Sequence, residues 1–336
     1  MFFGNRNPQI LRATALSALF VLVTTMLSFA ADPSALTWKK LKPTAGLPPR
    51  AAFASAYDPI SKKVVVFGGN DNQSNLNDTY TFDGKTWTKV ETNVAPPARA
   101  AAMMAYDGKI HKLVLFGGTS GFVRLNDTWL WDGASFTWTQ AHPKTVPPGA
   151  TGPILFTDPA NRHVDMFGGN RGQFYSRDTF QWTGKDWKLL GLDETNSPYP
   201  RMASVIAQDP IRKNVVLFGG ISDIWVVQNT WTWDGTSWTK LNPVTQPPPL
   251  YYTTGGFDPL LKEVVVFGGG SVGSDKKATW AWNGSNWTRL SPAKSPAARE
   301  RFGTVWDPTS RQFLIFGGDV FNTSTYFGDT WALTGN

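Results

Sequence analysis

Four arginines recur at matching places along the 336-residue chain: Arg50, Arg99, Arg201 and Arg299. A guanidinium offers a planar fork of donors that grips a carboxylate or phosphate with two bonds. A set of them entering a central channel therefore suits an anionic ligand. A second series competes for them. Asp78, Asp127, Asp178 and Asp329 follow in register, with Asn229 and Ala278 in the two remaining places. Ala150 and Leu250 interrupt the arginine series, and the unit holding Leu250 and Ala278 lacks both partners, which favours a structural Arg–Asp pairing.

Aromatic side chains beside amides and charges form the other candidate set. Phe174 and Tyr175 end the segment Asn170-Arg171-Gly172-Gln173-Phe174-Tyr175, Trp225 ends Ile221-Ser222-Asp223-Ile224-Trp225, and Tyr326 follows Asp319-Val320-Phe321. Such groups stack on sugar rings or anchor a peptide; the alternative is that they fold back over their own strands. Asp165 stands where the other units carry Val65, Val114, Val216, Val265 and Leu314. A carboxyl there needs a partner or a raised pKa, which makes it a site candidate, with a nearby hydroxyl or Arg162 as the expected structural partner.

Much chemistry is excluded. The chain has no Cys, and its three His, at 111, 142 and 163, fall in a tight turn, a loop and another tight turn. No metal-ligand spacing, nucleophile elbow or phosphate loop occurs. Glu194, Glu300, Asp71 and Asp223 lie in long loops and offer acid–base groups, but no spacing pairs them. No catalytic set, metal or cofactor is assigned. The Asn-X-Ser/Thr sequons recur because the repeat does and carry little weight.

The elements that must position these residues follow from a repeat. Phe-Gly-Gly recurs at Phe67, Phe116, Phe167, Phe218, Phe267 and Phe316, so six units of about fifty residues fill the chain. Each unit reads as four short strands. The first ends in a turn opened by Asp58, Asp107, Asp158, Asp209, Asp258 or Asp307. The second is a continuous apolar run such as Val64-Val65-Val66-Phe67, which predicts burial on both faces. The third alternates, as in Thr230-Trp231-Thr232-Trp233, and Asp234-Gly235 then turns the chain into the fourth. Outer-strand Trp occur at Trp38, Trp87, Trp138, Trp187, Trp238 and Trp287, so the first precedes all the Phe-Gly-Gly units and none follows the last. The N-terminal strand around Trp38 is therefore expected to complete the sixth blade of an all-β, six-bladed propeller and remove an open sheet edge. In a four-strand meander alternate connections share a side, so the long strand 2–3 and strand 4–1 loops define one expected working face. Among the 16 Trp, Trp306 falls in a first strand and Trp225 in a loop.

The repeated Phe-Gly-Gly, the aromatic strand after it and the Trp about twenty residues on resemble kelch repeats, as in the galactose oxidase propeller, over roughly residues 35–336. The resemblance implies the fold and is nearly silent on activity. Copper-radical oxidation is rejected, because that chemistry needs a Cys that this chain lacks. The hairpin Thr81-Phe82-Asp83-Gly84-Lys85-Thr86-Trp87 is similar to a sialidase Asp box but lacks the residue between Asp and Gly. Kelch propellers that interconvert sialic acid anomers are similar in export signal, blade number and channel arginines.

Residues 1–30 read as a bacterial-type export signal. Arg6 and Arg12 precede an apolar stretch, and Ser28-Phe29-Ala30 suits cleavage before Ala31; an uncleaved anchor is the rival reading. Losing Arg6 and Arg12 brings the formal net charge from +7 to +5, too weak and scattered for nucleic acid. The expectation is an exported, periplasmic or extracellular monomer, with the propeller over residues 31–336 and no membrane span after cleavage. Its ligand is expected to be a glycan or a protein, gripped by Arg50, Arg99, Arg201, Arg299, Phe174, Tyr175, Trp225 and Tyr326. A carbohydrate-active enzyme of the sialic acid mutarotase type is the alternative.

Overall fold

The computed structural model describes Met1, Gly4 and residues 36–191, 194–271 and 276–335. The expected export segment and its cleavage site lie outside the described residues. Met1–Ala30 and Ala31–Asn336 form separate units, and the fold is that of the second.

Six four-stranded antiparallel sheets make up this unit. Blade 1 runs through Ala54–Asp58, Lys63–Phe67, Thr79–Phe82 and Trp87–Val90. Blades 2 to 5 repeat that order, and blade 6 is made of Gly303–Asp307, Gln312–Phe316, Thr330–Gly335 and, as its outer strand, Leu36–Lys40. Trp38 lies opposite Leu333 in the last pairing, so the two ends of the described chain share one sheet.

Sequence dictates each strand. The second strands bury every apolar side chain: Val64, Val65 and Val66 are all inaccessible. Neighbouring blades cover both of their faces, which is why no polar alternation interrupts them. The Asp that ends each first strand caps the next turn; Asp58 Oδ1 accepts from the Ile60 N–H at 3.0 Å and Asp158 Oδ1 from the Ala160 N–H at 2.8 Å. Four residues after that Asp the backbone turns left-handed, at Lys62, His111, Arg162, Lys213, Lys262 and Arg311. That conformation makes the short bulged turn that sends the chain into the second strand.

Blades are joined by one unit of contact repeated round the ring. The outer Trp of each blade packs on the Phe-Gly-Gly phenylalanine of the blade before it: Trp87 on Phe316 at 5.1 Å, Trp138 on Phe67 at 5.2 Å, Trp38 on Phe267 at 5.4 Å. Trp187, Trp238 and Trp287 do the same with Phe116, Phe167 and Phe218. Such ring pairs contribute about 0.5–1.5 kcal/mol each beyond the area they bury. Most are pinned by a hydrogen bond from the indole Nε1 to a third-strand Thr, as in Trp138 to Thr79 at 2.9 Å and Trp187 to Thr128 at 2.8 Å. At the blade 3–blade 4 seam this bond is missing, and Trp238 Nε1 and Thr179 Oγ1 are both buried without a partner.

That difference makes a paired test. Trp138→Phe keeps an aromatic ring but strands Thr79, so it is expected to cost about 1–3 kcal/mol more than Trp238→Phe, which has no such bond to lose. Chemical denaturation of both variants measures the gap, and equal losses would mean the indole bond contributes nothing.

Candidate ligand-binding face

The long loops do share one face, because the residues entering each first strand pair with the start of the strand 2–3 loop. The pairs are Ala51 with Asn70, Ala100 with Thr119, Thr151 with Asn170, Met202 with Ile221 and Glu300 with Asp319. In blade 5 the same place holds Leu250–Tyr251 against Gly270–Ser271.

The four arginines of the repeat do not present their charge to a ligand. Arg50, Arg99, Arg201 and Arg299 are at most 1 % exposed. Each donates from Nη1 to the carbonyl of the first glycine of its own Phe-Gly-Gly, as Arg99 does to Gly117 at 3.1 Å. Arg99 also grips Asp127 with two bonds of 2.7 Å, and Arg50 and Arg299 hold Asp78 and Asp329 likewise. Burial raises and the Arg99 guanidinium lowers the Asp127 carboxyl, with the net result below its ordinary range. The expectation of channel arginines open to an anion is thus corrected: of the two readings the sequence allowed, the pairing is the one formed. Where the others meet an aspartate, Arg201 meets the amide of Asn229, and Asp178 pairs with Arg171 instead, since blade 3 has Ala150 at the arginine position.

Two residues after each of these positions lies a feature the sequence does not display. Ala52, Ala101, Gly152, Ala203, Tyr252 and Arg301 all have φ between 51° and 58°. Their backbones form a collar about the axis. Ala52 N–H donates to Arg301, Ala101 to Ala52, Gly152 to Ala101, Tyr252 to Ala203 and Arg301 to Tyr252, at 2.7–3.0 Å. Four collar positions carry a methyl group or nothing, and the other two carry Tyr252 and Arg301. One side of the collar is therefore bare and the other carries two long polar side chains.

Around those two side chains sits a polar and aromatic cluster. Arg301 makes a two-bond pair with Asp319, which is 1 % exposed, and lies under the Phe321 ring at 5.2 Å. Burial pulls the Arg301 guanidinium down and Asp319 more than offsets it. Tyr252 packs beside Phe321 and Tyr251, and burial raises its hydroxyl above the ordinary value. Tyr326 donates from its hydroxyl to Asn70 Oδ1 at 2.9 Å. Glu300 is 3 % exposed, has Lys276 Nζ at 3.5 Å and leaves Oε2 without a partner. Burial pushes this carboxyl up, against the opposing charge of Lys276. Asp71, by contrast, is spent on its own loop, where the Ser74 and Gln73 N–H groups lower it.

Further out, apolar side chains stand at the loop tips. Phe122 is 102 % exposed and Val123 61 %, with Phe174, Ile224, Trp225 and Phe321 also exposed. Tyr175 is half-buried. Trp225 stacks on Tyr199 with centroids 5.7 Å apart, over its own blade. Sequence reasoning found Phe174, Tyr175, Trp225 and Tyr326 but missed Phe122, Tyr252, Arg301 and Phe321 as a set. The available signal was the break in a small-residue column: Tyr252 and Arg301 replace Ala or Gly.

Asp165 has different partners from those expected. It is 0 % exposed, accepts from Gln181 Nε2 at 2.9 Å and lies against the Asp158 carboxyl rather than a hydroxyl or Arg162. Burial first, and Asp158 second, push its pKa up to about 9. It is a core carboxyl away from the loop face. The channel itself, lined by the first strands, encloses about 760 Å³ and ends in an aromatic rim of Tyr57, Tyr106, Phe257 and Trp306. Among the described residues no cluster of His, Cys, Asp or Glu is arranged to hold a metal, and no helix is long and apolar enough to cross a membrane.

Six four-stranded blades closed about a channel, with the long loops on one face, define a β-propeller. Within that class the chain belongs to the kelch-repeat family: the model describing the KLHDC2/KLHL20/DRC7 Kelch-repeats domain matches residues 23–220, more than half of its length. A solved structure of YjhT is similar with a TM-score of 0.66 and 16 % identity, over 87 % of this chain and 99 % of that one, a likeness of fold. No curated protein matches.

Two outcomes follow. Arg99→Ala takes from Asp127 its cationic partner, leaving it only Trp129 Nε1, and takes a donor from the Gly117 carbonyl, so it is expected to cost about 3–5 kcal/mol, seen as a lower melting temperature. A variant that melts like wild type would return the arginines to the ligand reading. For Asp165, the folded state binds a proton that the unfolded state releases at its ordinary value, so stability falls as pH rises from about 4 to 9. Asp165→Asn removes that slope and is expected to gain at least about 1.4 kcal/mol over wild type at pH 8, the worth of one pKa unit. Denaturation curves at pH 5 and pH 8 test it; a gap that does not widen with pH would be the contrary result.

Proposed function

We propose that this chain is an exported binding module that takes a glycan or protein ligand on its long-loop face. The observation that carries the reading is the asymmetry of the collar. Tyr252 and Arg301 stand where the other four blades have Ala or Gly, beneath exposed aromatic loop tips. A half-open, polar centre ringed by exposed apolar side chains is the pattern of a recognition surface, with aromatic anchors and a charged hydrogen-bonding group at the middle. Kelch propellers are common interaction modules, which agrees with this reading. Phe174, Tyr175, Trp225 and Tyr326 belong to the same face, while the buried arginines support it from beneath.

One observation favours a second reading. Glu300 is a buried carboxyl that burial pushes above the ordinary carboxylate range, beside Lys276 and near Arg301, which makes it the candidate acid–base group of this face. A carbohydrate-active enzyme of the mutarotase type would use it as acid–base group.

The test combines binding and turnover. Neutral and acidic sugars are screened by thermal shift, since a ligand bound to the folded state raises the melting temperature, and proteins of the exported fraction are screened by pull-down. Phe321→Ser is expected to leave melting unchanged and to weaken the ligand found at least about tenfold, with Tyr252→Ala behaving alike. Full binding by both variants would remove the loop face from contention. Anomer exchange by the wild type that Glu300→Gln abolishes, with binding kept, would move the chain to the enzyme reading.

A further inference from the structure

Blade 4 departs from its sisters at one atom. In blades 2 and 6 the third-strand aspartate uses one oxygen, Oδ2, to accept from two donors. Asp127 Oδ2 takes Arg99 Nη2 and Trp129 Nε1, both at 2.7 Å. Asp329 Oδ2 takes Arg299 Nη2 at 3.4 Å and Trp331 Nε1 at 2.8 Å. In blade 4 the aspartate is Asn229. Its Oδ1 still receives Arg201 Nη1 at 2.8 Å, but the second oxygen has become an amide nitrogen. Arg201 Nη2 and Trp231 Nε1 are consequently both buried with no acceptor.

The deficit is one of charge as well as of hydrogen bonds. Arg201 is 0 % exposed and faces no carboxylate, and burial alone draws its pKa down to about 9. Blade 5 shows what full relaxation of the motif looks like. There Leu250 and Ala278 remove both charges together, and only Trp280 Nε1 is left over. Blade 4 has kept the cation and lost the anion. A buried cation without a counter-charge is costly, and a bound anion relieves that cost.

A cavity opens on the Asn229 and Trp231 side of this place, with Arg201 behind its wall. It encloses about 420 Å³ and is lined by Asn229, Trp231, Ser197, Arg177, Tyr199 and Trp225, among others. Ser197 Oγ is a third buried group with no partner. At the cavity's outer wall Trp225, 53 % exposed, stacks on Tyr199, 40 % exposed, with Arg177 over the Tyr199 ring. The wall is an aromatic stack whose Trp225 ring is open to solvent.

We propose that this cavity is a carboxylate-binding site, in which a ligand carboxylate accepts from the Asn229 amide that stands in the aspartate's place, with the uncompensated Arg201 charge buried behind it, while its body stacks on Trp225. The ligand class is a small organic monocarboxylate with a flat or ring-shaped body, such as an aromatic acid or a uronic acid. The site lies in the rim of blade 4 and shares no residue with the Tyr252–Arg301 cluster, so it stands whether or not that cluster binds a glycan.

The test uses the whole chain and thermal shift at constant ionic strength. Acetate, benzoate and glucuronate are each compared with chloride and with glucose. The carboxylates are expected to raise the melting temperature in a saturable way, with benzoate and glucuronate effective at lower concentration than acetate, and chloride and glucose inert. Asn229→Asp supplies the missing oxygen from the chain itself. It is expected to raise the melting temperature without ligand and to weaken carboxylate binding at least tenfold. Trp225→Ala, at an exposed position, is expected to weaken benzoate about tenfold and leave acetate as it was. A wild type that responds alike to carboxylates and chloride, an Asn229→Asp variant that keeps the full carboxylate response, or one that melts no higher than wild type would each overturn the proposal. A Trp225→Ala variant binding benzoate as tightly as wild type would overturn the stacking half of it.

Discussion

Everything in this ring depends on how the second glycine of each Phe-Gly-Gly meets the next blade. Gly69 donates its N–H to Arg99, Gly118 to Ala150, Gly169 to Arg201, Gly220 to Leu250, Gly269 to Arg299 and Gly318 back to Arg50, at 2.7–3.0 Å. The donor must come within reach of a neighbouring backbone while the glycine lies flat against the entry segment of its own blade, which leaves no room for a side chain. A Cβ at Gly69 would lie 2.6 Å from the Ala51 carbonyl oxygen, and its φ of 93° is one that only glycine adopts without strain. The arginine then secures the same joint from the other side, by holding the carbonyl of the first glycine and the third-strand aspartate at once. The motif is therefore a coupling between blades, and the Phe before it is the surface on which the next blade's Trp lands.

This explains which parts of the molecule were legible in the sequence. The Phe-Gly-Gly joints, the outer Trp and the turn-capping Asp recur because every blade must solve the same packing problem, and six copies make the solution visible. The Arg–Asp pairing was legible to the extent that both partners vanish together in blade 5. The collar was not. Its left-handed backbone is set by the joint two residues earlier, and Ala52 or Ala101 gives no sign that it occupies such a conformation. A repeat shows what the blades share, whereas a binding surface lies in what they do not. Tyr252, Arg301 and Asn229 are each a single departure from a column, and a single departure looks like drift until the geometry shows what it faces. Asp165 is the converse: an eye-catching departure that points into the core, where Gln181 and Asp158 absorb it.

The loop face and the channel are chemically unlike. The channel is walled mostly by apolar and aromatic residues from the first strands. About the collar, a charged cluster stands on one flank, at Arg301, Asp319, Glu300 and Lys276. Blades 1 to 4 contribute small residues to the collar and keep their bulk for the loop tips. A ligand approaching along the axis would thus meet a lopsided floor, held by one flank and given room by the other. Asymmetry of this kind is what a ring of near-identical units must acquire before it can recognise anything that lacks sixfold symmetry.

The strand pairing of Leu36 with Gly335 has a mechanical side. The two ends of the ring emerge from the same edge of blade 6, at the same end of an antiparallel pair. Tension applied between them would load the bonds of that pair one after another, as in a zipper, rather than all together in shear. The outer strand would peel first, taking Trp38 from its place against Phe267 and exposing the blade 5–blade 6 seam. The ring's weakest direction is thus fixed by its closure.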